Sequence, residues 1–176
     1  MASTLKINNI DTASGTTITI PTGKQLIVTD EGAVRVPGTV LQVQQAYARG
    51  GVTANSTTFV ASGIDIDFTP KYATSKVLIQ ATGCYDTDAA ARQMYAVIYR
   101  DSTRLDTITD SGSAGLASAW NNGERQISNF NIMFLDSPST TSQIHYELYH
   151  KSGSSFTTEM GSQNVRSTIT CMEIAQ

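Results

Sequence analysis

Hydrophobic and polar residues repeat with a period of eight over residues 9–40. The second position of each octad holds Ile10, Ile18, Leu26 or Val34, and the fourth holds Thr12, Ile20, Val28 or Val36. Because side chains alternate along a strand, both positions lie on one face of a very short strand. A turn that contains Gly or Pro usually follows. The pattern therefore predicts a stack of short strands, each with one apolar face.

Strands this short do not cover their own apolar face, because a repeat of this kind needs neighbours to stack on. The four octads are too few to wrap a β-helix from one chain. We therefore expect other copies of the same chain to supply the missing cover. Residues 1–8 hold one alternating pair, Leu5 and Ile7, and are interpreted as an extended anchor.

After residue 40 the strands lengthen, and turn residues separate them. The stretch Val40–Tyr47 favours a strand over a short helical neck, since Val40 and Val43 are β-branched. Beyond residue 50 no segment keeps a helical period for more than two turns. The further predicted strands are Thr57–Val60 and Ile64–Phe68, joined across Ser62-Gly63, then Lys76–Gly83, Met94–Arg100, Arg104–Ile108, Ile127–Leu135, Gln143–His150, Phe156–Met160 and Arg166–Ile174. These strands predict an antiparallel β-sandwich of jelly-roll type over residues 41–176.

Composition excludes two classes of function. Charged residues make up 15 % of the chain, with a net charge of −3, so we expect no basic patch for a phosphate backbone and no nucleic-acid binding. No apolar run approaches the roughly 20 residues of a membrane-spanning helix. Residues 1–9 lack the apolar core of a signal peptide, so we expect synthesis in the cytosol and no membrane insertion.

The two cysteines and two histidines do not indicate a metal site. Cys84 and Cys171 lie in apolar strand-like runs, which favours buried free thiols over a disulfide. Neither has a Cys-x-x-Cys or Cys-His neighbour, so zinc is not expected. His145 and His150 are five residues apart on a predicted strand and should point to opposite faces.

Several acidic residues have the spacing of a pair on one strand face, but none belongs to a known metal-binding or catalytic motif. Asp65/Asp67 and Asp86/Asp88 have same-face spacing, but calcium needs six or more oxygens and no calcium repeat is present, so solvated edges or loops are preferred. Nothing in the spacing selects a glycosidase pair from the carboxylates Asp106, Asp110, Glu124 and Glu159. We therefore expect no enzyme, no catalytic residue, no metal and no cofactor.

The segment from Asp110 to Arg125 is long for a hairpin loop, and long loops on rigid sandwiches often carry function. It contains the only tryptophan, Trp120, followed by Asn121 and Asn122. An exposed ring beside amide groups suits a sugar, which offers an apolar face and hydroxyls. The alternative, that Trp120 packs between subunits or caps the sandwich, is favoured.

Four segments carry a resemblance to a known group of proteins. They are Thr-Thr-Ile-Thr-Ile-Pro-Thr-Gly-Lys-Gln-Leu-Ile-Val-Thr-Asp at 16–30, Val-Pro-Gly-Thr-Val-Leu-Gln-Val-Gln at 36–44, Phe-Leu-Asp-Ser-Pro-Ser-Thr-Thr-Ser at 134–142 and Ser-Thr-Ile-Thr-Cys-Met-Glu-Ile-Ala at 167–175. The chain resembles tail-fibre-like and head-fibre-like structural proteins of tailed bacteriophages. The resemblance implies a homotrimeric virion fibre with an intertwined β shaft, a β-sandwich head, a frequent role in host attachment and no catalytic residues.

On this reading residues 1–8 dock to a capsid or tail protein of the virion, and residues 9–40 form the shaft. The residues expected to face the trimer axis are Ile10, Ile18, Ile20, Leu26, Val28, Val34 and Val36. The head would bind a host cell-surface glycan, or it would decorate the capsid without binding a receptor. The short length favours a head fibre, a short tail spike or a decoration protein, and a depolymerising spike is a third alternative.

Overall fold

The computed structural model describes residues 19–29, 34–87, 92–106, 115–121, 123–154, 156–161 and 165–176. Within these ranges the chain contains strands and no helix, and so no helix long and apolar enough to cross a membrane. The strands are β1 (Val40–Arg49), β2 (Val52–Ala54), β3 (Val60–Phe68), β4 (Lys76–Thr87), β5 (Arg92–Arg100), β6 (Thr103–Arg104), β7 (Ala117–Asn121), β8 (Gln126–Asp136), β9 (Ile144–Ser152), β10 (Thr158–Met160) and β11 (Arg166–Ile174).

The strands form two antiparallel sheets, which confirms the predicted all-β, antiparallel class. In sheet A the order of the long strands is β1-β11-β4-β8. The short strand β10 pairs with the part of β4 that extends beyond β11, and β2 pairs with β10. Sheet B runs β3-β9-β5, and β6 and β7 pair with successive parts of the far edge of β5.

The pairing of the strands is nested. β1 pairs with β11, β3 with β9, β4 with β8, and β5 with β7. A long antiparallel ribbon that is rolled into two sheets has this order, which is the order of a jelly roll. Residues far apart in the sequence thus meet, and the first strand lies beside the last.

The core lies between the two sheets and consists of residues from alternate positions. Ile64, Ile66 and Phe68 of β3 point inward, as the alternation predicts, while Asp65 and Asp67 point outward. Burying each large apolar side chain stabilises the fold by about 1.5–3 kcal/mol. The largest fully buried apolar residues are Phe68, Ile64, Ile79, Ile98, Ile132, Ile144, Leu148, Met160 and Ile169.

A buried carboxylate holds the loop between β3 and β4. Glu173 of β11 accepts hydrogen bonds from the backbone N–H groups of Lys71 and Tyr72 and from Nε2 of Gln42, at 2.6–3.0 Å. Burial alone would raise the pKa of Glu173, but these hydrogen bonds outweigh it and lower that pKa. The carboxylate therefore stays charged and fixes the loop beside the entry of the N-terminal segment.

That segment, the described parts of residues 19–39, has no regular secondary structure and no apolar cover in one chain. Its last residues are attached to the head: Gly38 N donates to Ala175 O at 2.8 Å, and Ala175 N donates to Thr39 O at 2.9 Å. Arg35 donates to Thr74 Oγ1 at 2.7 Å and lies over the ring of Tyr72. The three-chain shaft stays a prediction, and its residues Ile10 and Ile18 lie outside the described residues.

Two local predictions are wrong and one is confirmed. Ser62-Gly63 is not a hairpin turn but a bulge within the single strand β3, where the register shifts between Ala61 and Asp65. Gly63 has φ 69°, which a glycine adopts without strain. The segment from Asp110 to Arg125 is not all loop, because it contains β7. Val40–Tyr47 is a strand, as predicted, and no helical neck.

Cys171 and His150 lie inside the sandwich, whereas Cys84 is buried on the other face of β4. Cys84 and Cys171 are both buried and form no disulfide, as expected, and Cys171 opposes Ile79, five residues before Cys84 on β4. His150 is fully buried and points inward, opposite to the half-exposed His145, as predicted. Within the described structure its Nε2 has no hydrogen-bond partner. Burial lowers the pKa of His150 from 6.5 to about 4.

His150 should make the protein less stable in mild acid. The unfolded state binds the proton at higher pH than the folded state, so the free energy of unfolding falls as the pH drops from 6.5 to about 4. The expected loss is about 3 kcal/mol. Urea unfolding of wild type and His150→Leu between pH 4 and pH 8 measures it. A wild-type slope in this window no steeper than that of the variant would contradict the assignment.

Candidate functional site

Trp120 lies on the outer face of sheet B, at its edge. It belongs to β7 rather than to a loop, and its side chain is 59 % exposed. β7 is held by pairing with β5, where Trp120 opposes Gln93. Residues directly opposite on antiparallel strands share a face, so the Gln93 side chain is the neighbour of the indole.

Asn121 does not accompany Trp120 on this face. Its side chain is buried, its Nδ2 donates to Thr87 Oγ1 at 2.9 Å and to Glu124 O at 2.6 Å, and its Oδ1 accepts from Gly123 N. The expectation that Asn121 is exposed beside the ring is therefore wrong, because alternation on β7 turns it inward. Asn122 lies outside the described residues. Sequence reasoning missed Gln93, since the pairing of β5 with β7 cannot be read from the chain.

An aromatic and cationic cluster lies on the same outer face of sheet B, further along the strands. The rings of Tyr99 and Tyr149 lie 4.1 Å apart, and Phe59 meets Tyr99 edge to face at 6.4 Å. Lys151 Nζ lies 4.8 Å from the Phe59 ring centroid and 5.7 Å from that of Tyr95. Stacked rings and a cation over them fix the side chains of this surface. The pairs Tyr95 with Lys151 and Val97 with Tyr149 place this cluster next to the Gln93–Trp120 pair.

The far end of the face is charged. Asp65 and Asp67 of β3 are exposed, and Nδ1 of His145 lies 2.8 Å from Asp67 Oδ1. The hydrogen bond with Asp67 raises the pKa of His145, with partial burial opposing it and Asp65 and Glu147 adding to it. Asp65 and Asp67 thus lie on a solvated edge strand, as expected.

Of the remaining acidic candidates, Asp86 and Glu159 oppose each other on β4 and β10 and line a small pocket with Arg125. Asp86 is buried and accepts from Arg125 Nε at 2.9 Å, so its interpretation as a solvated residue is wrong. Asp106 is buried and paired with Arg104. Asp88 and Asp110 lie outside the described residues. Within the described ranges, no group of three His, Cys, Asp or Glu residues has the geometry to hold a metal ion.

A cavity of about 230 Å³ opens between the edges of the two sheets, where β7 faces β8. Its floor is apolar, with Met94, Phe130 and Met160, and its rim carries Tyr85, Asn129 and Asn131. Trp120 does not line it; the β7 residues that do are Ala117, Ser118 and Ala119. The tryptophan surface and this cavity are therefore separate features.

Comparison with solved structures finds distant structural neighbours. No family model matches the chain, and no curated protein matches its sequence. A chain in the structure of infectious bursal disease virus, Gx strain, is similar with a TM-score of 0.41 and 12 % identity. The match covers 86 % of this chain and 43 % of that chain, so this chain spans less than half of its neighbour. A likeness at this level carries no argument about function.

The pKa of His145 should lie above 6.5 and depend on Asp67. Asp67→Asn should lower it more than Asp65→Asn, because Asp67 alone of the two is hydrogen-bonded to the imidazole. The raised pKa contributes stability below pH 6.5 that is lost as the pH rises through the folded pKa. Titration of the imidazole signals by NMR measures both variants. Equal decreases of the His145 pKa in the two variants would contradict the hydrogen bond with Asp67 as the main cause of the raised pKa.

Proposed function

We propose that the chain is a homotrimeric virion fibre or spike protein of a tailed bacteriophage. Residues 9–40 form the three-chain shaft, residues 1–8 dock to a capsid or tail protein, and the β-sandwich head contacts the host surface. The single observation that supports this most strongly is the exposure of large apolar side chains along the N-terminal segment of one copy. These are Ile20, Leu26, Ile27, Val28, Val34 and Val36.

A second surface must cover these residues. Soluble monomers rarely expose a contiguous apolar patch of more than a few hundred Å². The sandwich of the same chain does not provide the cover, since its own core is filled and Leu26 is 69 % exposed. Cover by sister copies gains about 25 cal/mol for each Å² that leaves water. The octad spacing repeats the same face along the segment, which suits copies wound around one axis.

Attachment is assigned to the outer face of sheet B. An exposed indole, a neighbouring amide on Gln93 and a rigid aromatic cluster are groups that bind the face and the hydroxyls of a sugar ring. Binding at one such shallow site is weak. Three linked copies raise the overall affinity, because the second and third contacts form within one molecule.

A capsid decoration role is the second candidate, and one observation favours it. The amide of Asn121 is used inside the head, so the indole has fewer polar neighbours than the sequence suggested. A decoration protein needs the trimer and its docking segment but no receptor surface. The two candidates share the shaft and differ in what the head does.

Replacing Ile20 by Asp should abolish the trimer, because three unpaired charges would surround one axis and each costs several kcal/mol when buried. Thr19→Asp is the matched control, since Thr19 is exposed and alternation along a strand is expected to turn it away from Ile20. Light scattering after gel filtration of the full chain gives the mass. Wild type and Thr19→Asp are expected as trimers and Ile20→Asp as single chains. A trimeric Ile20→Asp would overturn the axis assignment.

Replacing Trp120 by Ala should weaken binding of the labelled trimer to an array of bacterial surface glycans by about tenfold or more. Gln93→Ala should weaken it as well. Val165→Ala, which trims an exposed apolar residue elsewhere on the head, is the control.

Equal binding by wild type and Trp120→Ala would remove the receptor role from this face. The decoration role predicts a different outcome: particles that lack the protein lose resistance to heat while their adsorption to cells is unchanged.

A further inference from the structure

We propose that the outer face of sheet A is the surface through which the heads of neighbouring copies pack against one another. This rests on the trimeric shaft proposed above and adds a second, separate interface to it. The occupant is another copy of this chain. The juxtaposition that carries the proposal is an apolar row across the four long strands, with an exposed apolar cluster at each edge, on a sheet that the chain enters directly from the exposed N-terminal segment.

One row of residues crosses all four long strands of sheet A and is apolar on each. Val43 opposes Met172, Met172 opposes Leu78, and Leu78 opposes Leu135. The inward neighbours Val77, Ile79 and Cys171 fill the core, so this row is on the outer side. Its ends are open, with Val43 56 % exposed and Leu135 exposed to a similar degree.

The composition of this face is that of an interface. The outward positions around the row carry amides, hydroxyls and apolar groups, with Gln45, Thr170, Gln80 and Met133 in the next row. Charged side chains are confined to the ends of the strands, where Arg166 lies 4.2 Å over the ring of Tyr47. Depletion of charge with enrichment of Tyr, Met and Arg marks interface cores. The outer face of sheet B differs, because its far end is acidic.

The edge strand β8 lacks the features that keep a sheet edge from pairing with another chain. It is eleven residues long, contains no Pro, Lys or Arg, and pairs only with β4 among the described strands. Ile127, Met133 and Leu135 of this strand are exposed. A long, apolar, unblocked edge pairs or packs with another chain unless something covers it.

The connection between the N-terminal segment and the head supports a second copy of this chain as the molecule that covers the outer face of sheet A. The backbone hydrogen bonds between Thr39, Gly38 and Ala175 attach the exposed apolar segment to the base of sheet A, and the chain continues from there into β1. An axis that gathers three N-terminal segments therefore also brings together three copies of this sheet. Sheet B and Trp120 then face outward.

Three-fold symmetry defines how the copies meet. A closed ring of three copies needs two different patches on each copy, one facing each neighbour. The face supplies them at its two edges: Val43 and Tyr47 on β1, and Met133 and Leu135 on β8. We infer that the β8 cluster of one copy packs on the β1 cluster of the next.

Methionine oxidation of the full-length chain tests this without altering the face. Met133 is 58 % exposed in one copy, whereas Met94 and Met160 are buried within the head and act as internal references. Hydrogen peroxide is added to wild type and to Ile20→Asp, and mass spectrometry follows each methionine while light scattering gives the mass of both samples. Oxidation of Met133 is expected about tenfold slower in the wild-type trimer than in the single chain. Met94 should stay slow in both.

The outcomes separate the two proposals. A wild-type trimer in which Met133 oxidises as fast as in the single chain would overturn the head interface and leave the shaft standing. A wild type that is a single chain would overturn both.

A second pair of variants covers the case in which Ile20→Asp does not fold. Met133→Glu places a charge on the face, and Ser118→Glu places one at an exposed position on the edge strand β7 of sheet B. The concentration at which the trimer half-dissociates should rise at least about tenfold for Met133→Glu and stay unchanged for Ser118→Glu. Equal values for the two variants would contradict the interface.

Discussion

The rest of the structure depends on apolar surface that one copy of the chain leaves open. The sandwich fills its own interior, yet the N-terminal segment and the outer side of sheet A retain large side chains in water. Hydrophobic burial is the largest favourable contribution to folding and association, so an arrangement that leaves this surface open forfeits much of the available free energy. In the proposed trimer other copies of the chain cover this surface, because the same open surface then becomes the contact.

The nested strand pairing positions the two surfaces to which functions are proposed here. Pairing of β1 with β11 puts the entry of the N-terminal segment beside the C-terminus, where Glu173 holds the adjoining loop. Pairing of β5 with β7 puts Trp120 at the edge of the other sheet. The two outer faces are therefore chemically distinct. That of sheet A carries an apolar row among amides and hydroxyls and is joined to the N-terminal segment, and that of sheet B carries an aromatic cluster and an acidic end. That division suits one face for self-association and one for the exterior.

Much of the fold could be predicted from the alternation of apolar and polar residues. The predictions that fail do so for physical reasons. β3 and β9 alternate clearly between apolar and polar residues, so both their existence and their inward faces could be predicted. β7 was missed because Ala117, Ser118 and Ala119 have weak strand preference and lie between glycine-rich stretches. In β5 both faces are apolar and both are buried, as Tyr95 and Ile98 show, so no local pattern reveals which face meets the core. The pairing of Gln93 with Trp120 is a long-range register, which no local pattern contains.

The most direct test of the central claim is the mass of the folded wild-type chain at micromolar concentration by sedimentation equilibrium. The account predicts three times the 18.9 kDa of one chain, together with the cooperative unfolding of an intact β-sandwich. A well-folded species with the mass of one chain would contradict it, because the exposed N-terminal segment and the open face of sheet A would then need no partner.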